Sequence, residues 1–112
     1  MTKALARKFK ILGKLTYVHY NYIRFKNNLV LSGIGGGAIF AKNSTINGRN
    51  LLFDVNVGLR GGAILLGTGN SLNLEYSTLY SNASVLANGG GAIYLNDTSQ
   101  LTINSCIFNE NE

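Results

Sequence analysis

Short bursts of alternating apolar and polar residues recur along this chain in one fixed register. Seven, five and two residues before Phe25, Phe53, Leu79 and Phe108 stand Val18, Tyr20 and Ile23; Ile46, Gly48 and Leu51; Leu72, Leu74 and Ser77; Leu101, Ile103 and Cys106. Nine of these twelve positions are large and apolar, and the other three are Gly48, Ser77 and Cys106. A step of two residues keeps side chains on one face of a strand. The odd step between the two pairs therefore demands a bend that leaves both facing one interior. Three residues after each anchor comes an asparagine: Asn28, Asn56, Asn82 and Asn111.

A second signature interleaves with the first. Gly36-Gly37-Ala38-Ile39, Gly61-Gly62-Ala63-Ile64 and Gly90-Gly91-Ala92-Ile93 have their alanines 25 and 29 residues apart. Each supplies a third strand, with Ile39, Ile64 and Ile93 facing inward beside Ala41, Leu66 and Leu95. Three short strands per repeat, stacked in register, predict an all-β chain. Its expected form is a right-handed parallel β-helix (solenoid) of about four coils, ending near residues 28, 56, 82 and 111.

In that arrangement like residues stack on like. Phe25, Phe53, Leu79 and Phe108 form one buried core column. Asn28, Asn56, Asn82 and Asn111 form a structural ladder, because an amide both donates and accepts along the stack. The corner glycines Gly36, Gly37, Gly61, Gly62, Gly90 and Gly91 are expected to supply positive φ. Residues 1–14 are set apart as a basic segment from repeats 15–112. Within it Leu5, Phe9 and Leu12 fall at helical spacing, which suggests a short capping helix over residues 3–12. After Asn111 only Glu112 follows, with no further Gly-Gly-Ala-Ile strand. The last coil is thus expected to offer an open edge for self-association.

Gly36–Ile39, Gly61–Ile64 and Gly90–Ile93 alternate with Phe25–Asn28, Phe53–Asn56 and Phe108–Asn111. The pattern resembles the repeats of chlamydial polymorphic outer membrane proteins and related β-helical passenger domains, over roughly residues 15–112. The resemblance implies a non-enzymatic, surface-exposed, autotransporter-like segment that acts in adhesion. It further implies a location at the cell surface, outer membrane or extracellular space, and a host-surface protein or glycan as partner. The alternative reading is a carbohydrate-binding or carbohydrate-processing β-helix whose active site lies outside this segment.

Composition adds constraints. The chain has 14 Gly, no Pro, no Trp and 15 Asn among 112 residues, which suits a backbone that turns often. Residues 1–53 hold nine basic and no acidic residues, and 54–112 hold one basic against five acidic, that is +9 and −4. Such a front half suits an anionic partner or a solvated face, and the second is preferred. One cysteine excludes an internal disulfide framework. Ile11-Leu12-Gly13 is broken by Lys14, too short an apolar run for a signal peptide.

Catalytic chemistry finds little footing. The acids Asp54, Glu75, Asp97, Glu110 and Glu112 occupy different phases of the repeat, so they do not stack into the carboxylate cluster that sugar cleavage needs. His19 lacks partners at ligand spacing, and Cys106 reads as a small core residue. Gly33 to Ala38 evokes a dinucleotide loop but recurs with the repeat. The sequons at Asn43, Asn82 and Asn96 match the abundance of Asn, Ser and Thr. Tyr17, Tyr20 and Tyr22 beside Arg24 and Lys26 follow from strand alternation, and nucleic acid is not expected as a partner. No catalytic residue, cofactor or metal ligand is assigned.

Overall fold

The computed structural model describes residues 4–6, 9–30, 36–96 and 98–112, with side chains from Tyr22 onward. Every regular element among them is a strand: β1 (Ala4–Ala6), β2 (Phe9–Asn21), β3 (Ile23–Lys26), β4 (Ile39–Arg49), β5 (Leu52–Asp54), β6 (Val57–Gly58), β7 (Ile64–Leu66), β8 (Ser71–Glu75), β9 (Thr78–Tyr80), β10 (Ala83–Ser84), β11 (Ile93–Leu95), β12 (Gln100–Asn104) and β13 (Ile107–Asn109). One sheet has the order β1-β3-β5-β9-β13, and a second pairs β6 with β10. The third runs β11-β7-β4-β8-β12, with β2 also paired to β4. All the pairings are parallel.

This strand order overturns the expected right-handed parallel β-helix of about four coils. The strands fall into separate parallel sheets, forming a half-barrel and a curled sheet, without a helical-solenoid coil pattern. The physical reason lies in β2 and β4, which are 13 and 11 residues long where a corner between short strands was expected. β4 pairs with β7 through Ile39–Ala41 and with β8 through Thr45–Arg49. Between the two stretches Asn43 has φ 51, so the strand bends without breaking and its sheet curls.

The capping helix is also corrected. Ala4–Ala6 pairs with Ile23–Phe25, and Phe9–Leu12 with Ile39–Lys42. Backbone groups committed to sheet partners are not free for helical bonds. The side chains of Leu5, Phe9 and Leu12 lie outside the described set, as do Gly33–Gly35 and Asp97.

Burial follows the sequence alternation closely. Ile46, Leu72 and Leu74 are at most 1% exposed, and Phe25, Phe53, Leu79, Ile64 and Leu66 are fully enclosed. Phe53 pairs with Phe25 on one side and Leu79 on the other. The Phe25 and Phe53 rings stack with centroids 4.7 Å apart and planes 4° from parallel. Phe108 sits opposite Leu79 but is 42% exposed, so the expected buried column stops at Leu79. No further strand covers β13 among the described residues, and the outermost ring has core on one side only.

The turns correct one more expectation. Among the described glycines only Gly69 has positive φ. The corners are made instead by single left-handed residues in register: Tyr22, Asn50, Tyr76 and Ser105 at one, Asn27, Val55, Ser81 and Glu110 at another. Corner glycines serve close approach. A Cβ on Gly62 would overlap the Gly91 carbonyl oxygen and lie 2.6 Å from the Ala83 amide nitrogen.

Candidate recognition surface

Two polar ladders run through the interior and hold the strands in register. In the first, Asn28 Nδ2 donates to Asn56 Oδ1 at 2.8 Å, Asn56 Nδ2 to Asn82 Oδ1 at 2.9 Å, and Asn82 Nδ2 to Asn111 Oδ1 at 2.9 Å. Each oxygen also accepts from the backbone amide of the preceding ladder residue, at 3.0–3.1 Å. Asn56 and Asn82 are fully buried and Asn28 nearly so. Asn82, one of the sequon residues, has its amide wholly engaged in this ladder.

The second ladder escaped sequence reasoning. Asn70 accepts from the Ser44 amide at 3.0 Å and donates to the Ala41 carbonyl at 3.1 Å, while Ser99 Oγ lies 3.3 Å from Asn70 Nδ2. The signal was present: Thr16, Ser44, Asn70 and Ser99 each stand nine residues before an apolar anchor.

The second ladder flanks an outward face on β4, β8 and β12. Thr45, Ser71 and Gln100 form one column, Asn47, Asn73 and Thr102 the next, and Arg49, Glu75 and Asn104 a third. All nine are at least partly exposed, whereas Ile46, Gly48, Leu72 and Leu74 between them are buried. Asn73 Nδ2 donates to Asn47 Oδ1 at 2.8 Å across the strands. The backbone of His19 continues the Asn47 column on β2.

Next to this face lies a groove of about 340 Å³, lined by Tyr22, Arg24, Asn50, Tyr76 and Thr78 among others. Tyr22, Asn50 and Tyr76 are the left-handed corner residues three before each anchor. The Arg49 guanidinium sits 4.7 Å over the Tyr76 ring. Arg24 pairs with Asp54 and Arg49 with Glu75, each at 3.4 Å. Arg24 Nε is buried and lacks a hydrogen-bond partner.

The remaining candidates are dispersed. Asp54 and Glu75 face arginines, and the Glu112 backbone bonds to Asn82 and Ser84. Glu110 accepts from the Tyr80 hydroxyl, which raises the Tyr80 pKa above its usual 10.0. Among the described residues no group of three or more His, Cys, Asp or Glu could hold a metal ion. Cys106 is partly buried against the core, with Sγ 3.4 Å from the Leu74 carbonyl. Gly36 and Gly37 are packed against backbone of neighbouring strands, not open toward a ligand. The side chains of Tyr17, Tyr20 and His19 lie outside the described residues. No described helix is long and apolar enough to cross a membrane. Comparison with protein-family models, with curated proteins and with solved structures gave no match.

Proposed function

We propose that this chain is a non-enzymatic recognition segment of an adhesin-like protein, acting at the cell surface, outer membrane or extracellular space. One observation carries the reading: the three outward columns on β4, β8 and β12, side by side at the spacing of paired strands. Neighbouring strands lie roughly 4.8 Å apart, so two of the columns form a near-regular array of amides and hydroxyls, and the third adds Arg49, Glu75 and Asn104. The ladder through Ser44, Asn70 and Ser99 at the edge of this array ties these strands together before any partner arrives. Preorganisation of this kind lowers the entropic cost of association. A host-surface protein or glycan is the kind of partner that such an array meets.

The test is binding of the purified chain to intact host cells. Saturable binding is expected, and Asn73→Arg together with Thr102→Arg should abolish it while leaving the urea midpoint unchanged. Release of reducing sugar from host glycans, or cell binding indifferent to both substitutions, would overturn the proposal.

A further inference from the structure

We infer that the groove between Tyr22 and Tyr76 is a subsite for a neutral saccharide chain lying across the strands. The inference rests on the recognition reading above and names its ligand class. Tyr22, Asn50 and Tyr76 occupy the same corner of successive repeats, because the Tyr22 amide bonds to the Arg49 carbonyl and the Asn50 amide to the Glu75 carbonyl. The two tyrosines are thus two strand spacings apart, roughly 10 Å, with an amide between them. That is the span of a disaccharide. Saccharide rings present one face of C–H bonds, suited to an aromatic ring, and an edge of hydroxyls, suited to amide and guanidinium groups. Tyrosine offers an apolar body with a polar tip and loses little conformational freedom when it binds.

Two further observations narrow the ligand. Arg24 is the one charged residue lining the groove and is paired with Asp54, while the adjacent Arg49 is paired with Glu75. A cationic ligand would meet Arg24, and the pairing of Arg24 with Asp54 lessens its pull on an anion, whereas hydroxyls can use both donors and acceptors. The buried Arg24 Nε has a proton and no acceptor. That atom is closed off from the groove, while the Arg24 side chain as a whole is 40% exposed and can offer its other donors to a hydroxyl. Arg49 stacked on Tyr76 holds that ring in place beforehand.

The test titrates the full chain with neutral di-, tri- and tetrasaccharides of glucose, mannose and N-acetylglucosamine, and with a uronic acid oligomer. Intrinsic tyrosine fluorescence reads the binding, since the chain has six Tyr and no Trp. Binding of at least one neutral series is expected, with the longer chains tighter and with no salt dependence. Tyr76→Ala should weaken it about tenfold, and Tyr76→Phe should leave it within about threefold. Tyr76 is 54% exposed, so neither change should disturb folding, and circular dichroism checks this. Saturation-transfer NMR on the unmodified chain should place the contact on Tyr22 and Tyr76 ring protons. No binding of any neutral series, preference for the uronic acid oligomer, or affinity unmoved by Tyr76→Ala would overturn the subsite. Cell binding that survives Tyr76→Ala but not protease treatment of the cells would remove the saccharide and leave the recognition reading intact.

Discussion

Replacing Asn56 by Ala tests how the repeats are tied together. The substitution removes the acceptor of the Asn28 amide at 3.1 Å and of Asn28 Nδ2 at 2.8 Å. It also removes the donor to the Phe25 carbonyl at 3.0 Å and to Asn82 Oδ1 at 2.9 Å. Asn82 Oδ1 keeps the Asn56 backbone amide at 3.0 Å, so the lasting damage falls on Asn28. Asn28 is only 6% exposed, and water cannot easily replace what it loses. A buried polar group left unpaired costs about 1–3 kcal/mol, and two donors in partial relaxation give about 3 kcal/mol in total. With a urea slope of about 1.5 kcal/mol/M, the unfolding midpoint should fall by about 2 M.

Asn111→Ala provides the internal comparison. Its amide makes equivalent bonds, accepting from the Asn82 amide and Nδ2 and donating to the Leu79 carbonyl. The freed donors belong to buried Asn82, but Asn111 itself is only partly buried, so water can enter the space its side chain vacates and the loss should be about 1 kcal/mol. Urea titration by circular dichroism measures both variants. An Asn56→Ala midpoint within about 0.3 M of the parent, or no lower than that of Asn111→Ala, would refute the buried-ladder argument.

Other substitutions probe other forces. Phe53→Ala should cost about 3–5 kcal/mol by cavity formation, whereas Phe108→Ala, at a 42% exposed position, should cost about 1 kcal/mol or less by the same urea assay. Val55 holds φ 56, a region hostile to β-branched side chains, so Val55→Gly should raise stability by about 1 kcal/mol; a loss would mean that its side chain packs. Gly62→Ala forces a Cβ into neighbouring backbone and should cost about 3 kcal/mol or prevent folding, read as loss of the cooperative transition. The Tyr80 pKa is raised in the folded chain by its hydrogen bond to Glu110. Its stabilising contribution is therefore present below the unfolded pKa and is lost as pH rises through the folded one. Glu110→Gln should bring the Tyr80 titration, followed by NMR, back toward its ordinary value.

The core alternation was legible because burial on one strand face imposes a period of two, and the anchors Phe25, Phe53 and Leu79 carry it without interruption. The side chains at the Asn28, Asn56, Asn82 and Asn111 positions were legible for the same reason, each at a constant offset. What failed were inferences about the path between these points. Short strands were expected, yet β4 runs unbroken from Ile39 to Arg49, because one left-handed residue at Asn43 bends a strand without ending its hydrogen bonding. Helical spacing of Leu5, Phe9 and Leu12 misled for a related cause, since edge backbone offered by β3 and β4 outcompetes a short isolated helix. The Tyr22–Tyr76 groove stayed hidden because its members lie at the turn, where the anchor register is polar and varied. Only the backbone conformation common to Tyr22, Asn50 and Tyr76 unites them.

The steep charge asymmetry gains a local meaning from the strand pairing. Arg24 lies one position before Phe25 and Asp54 one after Phe53, so a cation on one strand reaches diagonally to an acid on the next. Arg49 and Glu75 are direct partners on β4 and β8. In both pairs the cation belongs to the earlier repeat and the acid to the later one. These two pairs follow the direction of the asymmetry and involve two of the nine basic residues of the N-terminal half. Partly or fully exposed pairs at 3.4 Å contribute little stability, at most about 1 kcal/mol each. Their larger effect is on register and on the surface, because one neutralises Arg24 in the groove and the other Arg49 beside it. The same two pairs thus align the strands and leave between the tyrosines a site matched to an uncharged partner.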